Sequence, residues 1–402
     1  MNTKRYISCT DELVGIMRGG GLVAVPTETV YGLAGNGLDE KAVAEIYEVK
    51  GRPEVKPLSL MVHDAASMER YCENVPPQAY TLAKKFWPGP LTIVMKAKPC
   101  VPEIVRAGGE TVGLRCPDHP LTLELLEKSG VPFAAPSANP SGEPSPKNAD
   151  SVLKYFDGKI DAVLDGGECG IGCESTLIDL SRTPYRILRQ GALPADEIAD
   201  AFVDSMKIIG ITGGTGCGKT TALNELERRG ALLIDCDAVY HRMLETDRPM
   251  LDEIEKYFPG AVIDGKLDRK ALGAVVFTDE EALRDLNIIT HRHINLEIRR
   301  ILREHAMNGG TLAAIDAIEL FSSGINGSCF KTIAVLSDKE NRVKRIMARD
   351  GITREYALMR IAAQHDDAYY AEKCDHTLYN NADMDSFRND CRQLFKEMFS
   401  NG

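Results

Sequence analysis

The sequence has little of several features that mark particular classes of protein. No apolar run reaches the length of a bilayer-spanning helix, and the first ten residues lack the apolar stretch of a signal peptide. Basic residues are not in excess: the formal net charge is −11, with −7 in residues 1–205 and −4 in the rest. Bulk charge therefore gives no support to nucleic-acid binding. With 402 residues, 44% hydrophobic and 27% charged, we expect two or three soluble globular domains. The missing export signal and the irregular spacing of the cysteines indicate the cytoplasm.

The eleven cysteines have no regular spacing, which is typical of reduced thiols. One arrangement suggests a metal: Cys116 and His119, together with Cys169 and Cys173, could supply four zinc ligands. The tight paired spacing of zinc modules is missing, so we favour free thiols and no metal here.

The most informative stretch begins with a short apolar run, Ile208 to Ile211, sized for a buried strand. The next residues fit the P-loop pattern G-x-x-x-x-G-K-[ST] at every fixed position, and a helix-like segment follows. Glycines bring main-chain N–H groups close to phosphate oxygens, and the helix directs its positive end at the same anion. We expect Lys219 to bridge the β- and γ-phosphates and Thr220 to ligate Mg²⁺. The predicted ATP-binding residues of this loop are Gly213, Gly214, Thr215, Gly216, Cys217, Gly218, Lys219, Thr220 and Thr221.

This loop starts halfway along the chain, whereas a nucleotide kinase on its own would have it near its beginning. We therefore predict two domains, residues 1–205 and residues 206–402. No Gly/Ser-rich or Pro-rich tether separates them.

In the first half, polar residues repeatedly follow short strand candidates. A cluster of three cations, Lys50, Arg52 and Lys56, lies within seven residues that also contain a glycine and a proline. These helix breakers favour a loop, which is either a polyanion site or a solvated surface. Further polar strand ends occur at Thr27 and Thr29, at Arg115, at Ser137 and Asn139, at Ser175 and at Arg189. The stretch that contains Thr27 and Thr29 is either a turn with capping hydroxyls or part of a pocket wall.

Together these pieces resemble the YrdC family of L-threonylcarbamoyl-adenylate synthases, in order and over about residues 8–200. The resemblance implies a twisted mixed-sheet α/β domain and a reaction in which L-threonine, bicarbonate and ATP give threonylcarbamoyl-AMP and pyrophosphate, for modification of tRNA adenosine 37. Such chemistry needs positioning and cations more than covalent help from the protein.

The resemblance also implies roles for individual residues. Lys50 and Arg52 are the expected catalytic cations. Lys56, Ser137, Asn139, Ser175 and Arg189 are expected to bind ATP. Thr27, Thr29, Arg115 and His119 are expected to bind the substrates.

In the second half, Asp235 and Asp237 follow the strand after the P-loop helix. One of them could accept a hydroxyl proton or hold Mg²⁺ through water; alternatively, Asp237 caps a helix. We favour a catalytic role for these carboxylates over helix capping. A later basic helix contains Arg342, Arg345 and Arg349, which form either a solvated face or a lid that closes on phosphates.

This half resembles dephospho-CoA kinase over nearly all of residues 206–398, which implies a P-loop kinase with a parallel sheet flanked by helices. The implied reaction moves the γ-phosphate of ATP to the 3′-hydroxyl of dephospho-CoA. The resemblance implies that Asp237 is the catalytic base, and we expect Asp235 to bind the substrate. Two stretches depart from the family pattern: His291-Arg292 stands where His-Pro is usual, and Ala317 to Phe321 where Pro-Leu-Leu-Phe-Glu is usual. Both lie toward the expected acceptor pocket, so ATP use is better supported than acceptor identity.

We thus expect a bifunctional enzyme that uses ATP, L-threonine, bicarbonate and dephospho-CoA, with Mg²⁺ as cofactor and with contact to tRNA or to a tRNA-modification complex. Two alternatives stay open. The first domain could be a non-catalytic RNA-binding or regulatory module, or the second could be a kinase for another nucleoside or nucleotide.

Overall fold

The computed structural model describes residues 2–400 and divides the chain into two compact units. The first contains the described residues up to Phe202 together with Met307–Gly309. The second contains Val203–Ala306 and the described residues from Gly310 onward. Within residues 2–400, no helix combines the length and the apolar character that a bilayer crossing requires.

The first unit is built on a ten-stranded mixed sheet in the order β1-β8-β2-β3-β7-β4-β6-β5-β9-β10. Its strands are β1 Lys4–Tyr6, β2 Val23–Val25, β3 Gly32–Asn36, β4 Ser59–Met61, β5 Leu91–Lys96, β6 Thr111–Arg115, β7 Phe133–Ala134, β8 Ala162–Leu164, β9 Thr176–Asp179 and β10 Arg186–Arg189. The helices that start in it are α1 Asp11–Arg18, α2 Glu40–Lys50, α3 Ser67–Tyr71, α4 Pro77–Phe86, α5 Glu103–Arg106, α6 Pro120–Ser129, α7 Ala149–Phe156 and α8 Ala195–Ser205.

Helix α2 shows how local sequence positions the cationic loop. The Asp39 side chain caps its start by accepting from the Lys41 N–H, and Gly51 ends it in the left-handed region at φ 59°. Apolar residues at helical spacing, including Val43 and Ile46, bury one face. Lys50 therefore lies in the last turn, and the residues after Gly51 leave the helix as a loop.

The second unit contains a five-stranded sheet in the order β12-β15-β11-β16-β17 and a small hairpin, β13-β14. Its strands are β11 Lys207–Thr212, β12 Leu232–Asp235, β13 Val262–Ile263, β14 Lys266–Leu267, β15 Leu312–Asp316, β16 Lys331–Leu336 and β17 His376–Tyr379. Its helices are α9 Lys219–Glu227, α10 Cys236–Thr246, α11 Arg248–Tyr257, α12 Arg269–Val276, α13 Glu280–Met307, α14 Lys339–Asp350, α15 Arg354–Ala362, α16 Asp367–Lys373 and α17 Met384–Ser400, with a 3₁₀ helix at Ile325–Ser328.

All pairings in the five-stranded sheet are parallel, and β11 lies at its centre between β15 and β16. The carboxyl ends of parallel strands meet at one edge, where α/β proteins bind ligands. The register pairs Asp316 with both Ile211 and Asp235, so two strand-end carboxylates lie beside the start of the P-loop. The mixed sheet of the first unit and this parallel sheet confirm the predicted fold class.

Candidate active sites

In the first unit, five residues that the sequence predicted for the site line one cavity of about 190 Å³. They come from different elements: the loop after α2, the ends of β6 and β10, and the segments after β7 and before β9. These residues are Arg52, Arg115, Ser137, Ser175 and Arg189. The fold thus brings together side chains that are up to 137 positions apart in the sequence, from 52 to 189.

Arg115 is nearly buried, and its guanidinium is held on one side only. Its Nη2 donates to Thr29 Oγ1 at 2.7 Å and to Glu28 Oε1 at 2.8 Å. Its buried Nε has no hydrogen-bond partner in the part of the chain that the structure describes. An unsatisfied buried donor on a cation that lines a cavity suits an anionic ligand.

Arg189 and Ser175 form a second polar group in the same wall. The Arg189 Nη2 donates to the Ser175 main-chain oxygen at 2.8 Å and lies 3.2 Å from its hydroxyl. Thr92 Oγ1 is 2.8 Å from that hydroxyl on the other side. The Ser175 side chain is therefore fixed in orientation before any ligand binds.

Lys50 is buried behind the cavity and does not line it. Its Nζ donates to the main-chain oxygens of Ser137 and Asn139, and burial together with the charge of Arg52 lowers its pKa to about 8. Lys50 thus fixes the Ser137–Asn139 turn. The side-chain amide of Asn139 donates to Glu143 O at 2.6 Å, while its Oδ1 has no partner among residues 2–400.

Other predicted residues of this unit lie around the cavity. Lys56 is exposed and is not a lining residue, although the next residue, Pro57, lines the cavity. Thr27 is buried and bonds to Thr29, at 2.8 Å between their Oγ1 atoms. His119 precedes α6 and packs against Gly166, and its burial lowers its pKa.

Sequence reasoning missed Glu28 and Thr92. Glu28 stands between the two predicted threonines, and Thr92 is near the start of a strand. A charged or hydroxyl side chain at a strand end was therefore the sequence feature that could have indicated both residues.

The four suggested zinc ligands are not gathered. Cys116 Sγ donates to the His63 main-chain oxygen at 3.2 Å, and Cys173 is exposed. Within the described chain, no three His, Cys, Asp or Glu side chains are placed to hold a metal ion by themselves.

In the second unit, the predicted P-loop connects β11 to α9. Gly213 has φ +132°, and a Cβ there would come 2.2 Å from the Val335 main-chain oxygen, so only glycine fits. The Lys219 Nζ reaches back to the Gly213 oxygen at 3.0 Å and lies 3.6 Å from Asp316 Oδ1. Thr220 is exposed in the first turn of α9.

Asp316 lies beside Lys219, and two further carboxylates, Asp235 and Asp237, lie near Asp316. Burial raises the pKa of Asp316 to about 6, and the negative charges of Asp235 and Asp237 add to this effect. The Asp235 side chain caps α10 by accepting from the Ala238 N–H at 3.0 Å, so the cap is Asp235 rather than Asp237. Asp316 was missed by sequence reasoning, although it follows a strand just as Asp235 does.

Asp237 lines a cavity of about 180 Å³ whose other walls come from α13 and the segment after β15. This cavity also contains His291, Ala317 and Glu319, from the two stretches that depart from the family pattern. A carboxylate at the wall of a small cavity next to a P-loop can accept a proton from a bound hydroxyl group.

Two of the three predicted lid arginines hold the P-loop itself. Arg342 is only 4% exposed and donates through Nε to the Thr215 oxygen at 3.0 Å. Arg345 donates through Nη1 to the Gly216 oxygen at 3.3 Å and to the Cys217 oxygen at 3.4 Å, and it also donates to Ser337 Oγ and to the Asn380 oxygen, each at 3.0 Å. Arg349 is outside this group and pairs with Asp350 at 2.7 Å. In this conformation the first two arginines support the loop main chain.

Comparisons with known proteins divide the chain in the same way. Residues 15–191 match the Sua5/YciO/YrdC family model, described as telomere recombination, and residues 207–386 match the dephospho-CoA kinase model. A threonylcarbamoyl-AMP synthase of Pyrococcus abyssi is 50% identical over 184 residues, which are 46% of this chain and 54% of the relative. A putative one from Methanocaldococcus jannaschii is 39% identical over 180 residues, which are 45% of this chain and 84% of the relative. The chain spans only 49–61% of the length of the first three curated relatives.

Two solved structures are also similar. The Sua5 protein of Pyrococcus abyssi, complexed with L-threonine, is 28% identical and aligns with a TM-score of 0.48 over 84% of this chain and 100% of its own. The dephospho-CoA kinase of Campylobacter jejuni is 28% identical, with a TM-score of 0.36 over 48% of this chain and 96% of its own. The second half matches the dephospho-CoA kinase model over residues 207–386, and through its first half the chain belongs to the Sua5/YciO/YrdC family.

Proposed function

We propose that the chain is a bifunctional enzyme with one ATP-dependent reaction in each unit. The first unit joins L-threonine, bicarbonate and ATP to form threonylcarbamoyl-AMP and pyrophosphate. The observation that carries this proposal is the cavity that gathers Arg52, Arg115 and Arg189 with two serine side chains. Cations placed around a polar cavity stabilise the charge that develops when pyrophosphate leaves the α-phosphorus.

The residues divide this work by their positions. Arg115, with its unpaired Nε, binds the threonine carboxylate next to Thr29. Ser137 and Ser175 orient the nucleotide, and Arg52 neutralises phosphate charge. Lys50 acts indirectly: its Nζ donates to the main-chain oxygen of Ser137 and so fixes the turn that carries this serine.

The test of the first reaction is pyrophosphate release by the full chain. Release should require both threonine and bicarbonate, and an Arg115→Gln variant should raise the KM for threonine more than the KM for ATP. Equal pyrophosphate release in the absence of threonine would contradict the proposal.

The second unit transfers the γ-phosphate of ATP to the 3′-hydroxyl of dephospho-CoA. The observation that carries this proposal is Asp237, which lines a cavity beside the P-loop and is the proposed base for the acceptor hydroxyl. The P-loop amides and Lys219 hold the β- and γ-phosphates. Asp235 caps α10 and contributes negative charge near the acceptor.

A P-loop kinase implies Mg²⁺, and the donor set of this unit fits it. Asp235 and Asp237 are close enough to Asp316 to raise its pKa, so the site carries an excess of carboxylate charge that a cation would relieve. Mg²⁺ is usually held by one or two protein oxygens, phosphates and water. The Thr220 hydroxyl would hold it here, and the ion would neutralise charge on the transferred phosphate.

The test of the second reaction is CoA formation from dephospho-CoA, ATP and Mg²⁺ by the full chain. Product should depend on Mg²⁺ and disappear in an Asp237→Asn variant. A panel of other nucleosides and nucleotides should give far lower rates, and a better acceptor among them would replace dephospho-CoA.

Location and macromolecular partners are further parts of the proposal. The eleven free cysteines support a reducing, cytoplasmic location. We also propose contact with tRNA or with a tRNA-modifying complex through the first unit. Since the charge of this half is −7, direct tRNA binding would need a local basic groove and should weaken steeply with added salt.

A further inference from the structure

A second and larger cavity of the second unit has no role in the reaction described above. Its volume is about 530 Å³, and it lies between α13 and the segment that leads into the 3₁₀ helix. It shares His291, Ser323 and Ile325 with the cavity that contains Asp237. The two cavities are therefore neighbours with a common wall: one of about 180 Å³ is lined by the proposed base, and the other has about 530 Å³.

The larger cavity has mainly apolar walls with one unsatisfied polar atom. Ile288 and Leu296 line it and are 59% and 63% exposed. Asn295 lies between them, and its Nδ2 donates to the Ser323 oxygen at 2.9 Å. Its Oδ1 is buried and has no hydrogen-bond partner among the residues that the structure describes. A buried acceptor without a partner is uncommon in a folded protein and favours a ligand that brings an N–H group.

We propose that this cavity binds the tail of the phosphoryl acceptor: an uncharged, flexible, amide-bearing chain attached to the nucleotide, as in dephospho-CoA. An amide N–H of the tail donates to Asn295 Oδ1, and its methylene groups cover Ile288 and Leu296. The nucleotide end then lies in the smaller cavity, where its hydroxyl faces Asp237. This inference rests on the proposed kinase function, since it takes the acceptor from it.

The location of the cavity also explains how the site would discriminate between acceptors. A nucleoside monophosphate has no tail, so it would leave the apolar walls exposed to water and the buried Asn295 Oδ1 without a hydrogen-bond donor. Tail binding holds the acceptor without altering the chemistry at Asp237. We therefore expect the tail to determine the KM and to have little effect on kcat.

The experiment compares variants of the full chain in steady-state CoA formation. Leu296→Glu places a charge on the apolar wall, and Asn295→Ala removes the acceptor atom. Leu283→Glu is the matched control, because Leu283 is also an exposed leucine of α13 and lines neither cavity. Free pantetheine serves as a probe that carries the tail without the nucleotide.

We expect Leu296→Glu to raise the KM for dephospho-CoA by about 10-fold or more, and Asn295→Ala to raise it by a smaller factor. In both, kcat and the KM for ATP should change less than about twofold, as should every parameter of Leu283→Glu. Pantetheine should compete with dephospho-CoA in the unaltered chain and lose its effect in Leu296→Glu.

Two results would overturn the inference in distinguishable ways. If the unaltered chain makes CoA but Leu296→Glu has the KM of Leu283→Glu, the tail does not bind here while the kinase function stands. If the unaltered chain makes no CoA, the proposed kinase function fails and the inference fails with it.

Discussion

The two units build their candidate nucleotide sites from different parts of the chain. In the first unit, arginine and serine side chains from five separate segments converge on one cavity. In the second, one continuous loop presents its main chain, and the side chains of Arg342 in α14 and of Asn380, which follows β17, donate to the oxygens of that loop. A main-chain site tolerates changes in most side chains but depends on glycine and on the one lysine. A side-chain site depends on each of its cations separately.

The largest effect should come from the lysine of the main-chain site. We expect Lys219→Met to lower kcat for CoA formation by about 1,000-fold, because one preorganised cation on the transferred phosphate is lost. Pyrophosphate release by the first unit should be unchanged, and Lys270→Met should affect neither rate, since Lys270 is an exposed residue of α12. A loss of both activities in Lys219→Met would show that the two sites are not independent.

A smaller loss is expected in the side-chain site, where several cations share the charge. Arg189→Gln should lower pyrophosphate release by about 100-fold, because it removes a cation and frees the Ser175 side chain. Lys56→Gln is the informative comparison: Lys56 was predicted to bind ATP, yet it is exposed and outside the cavity lining. Equal losses in the two variants would mean that the loop of Lys56 closes over the nucleotide during turnover.

The rates of the two reactions should respond to increasing pH in opposite directions. The kinase rate should rise as pH increases through about 6, because Asp316 has a pKa of about 6 and only its ionised form pairs with Lys219. The synthase rate should fall as pH increases through about 8, because Lys50 has a pKa of about 8 and loses its charge above it. Below a pH of about 6 the kinase rate should fall about tenfold per pH unit, and above a pH of about 8 the synthase rate should fall about tenfold per pH unit.

Two variants test the assignment of these pH limbs. Asp316→Asn should remove the rise near pH 6, and Lys50→Arg should move the fall to higher pH because guanidinium stays charged. If both limbs survive in their variants, other groups control the two profiles.

The same contrast explains what could be predicted from the sequence. The P-loop was readable because main-chain recognition needs glycines and a lysine at fixed spacing within eight residues, Gly213 to Thr220. The first site was readable only as an ordered set of polar strand ends, since its side chains meet through the sheet order. The burial of Lys50 and Arg342 was not predictable, because it depends on which main-chain oxygens the tertiary fold places within their reach. Asp316 was missed because a carboxylate at a strand end is equally typical of a helix cap.

The smallest predicted effect concerns the support of the main-chain site. Asn380 is buried, and its Nδ2 donates to the Cys217 oxygen of the P-loop at 2.8 Å. We expect Asn380→Ala to lower the free energy of unfolding by about 1–3 kcal/mol, because that buried oxygen keeps only its longer bond, 3.4 Å from Arg345 Nη1. The adjacent Asn381 makes comparable bonds to Asp338 but is exposed, so Asn381→Ala should change stability by less than about 0.5 kcal/mol.

Urea unfolding of both variants with and without ATP distinguishes two roles for Asn380. If the P-loop needs this bond to keep its shape, ATP should stabilise Asn380→Ala less than it stabilises Asn381→Ala; equal stabilisation by ATP would mean that Asn380 supports the fold and not the nucleotide site.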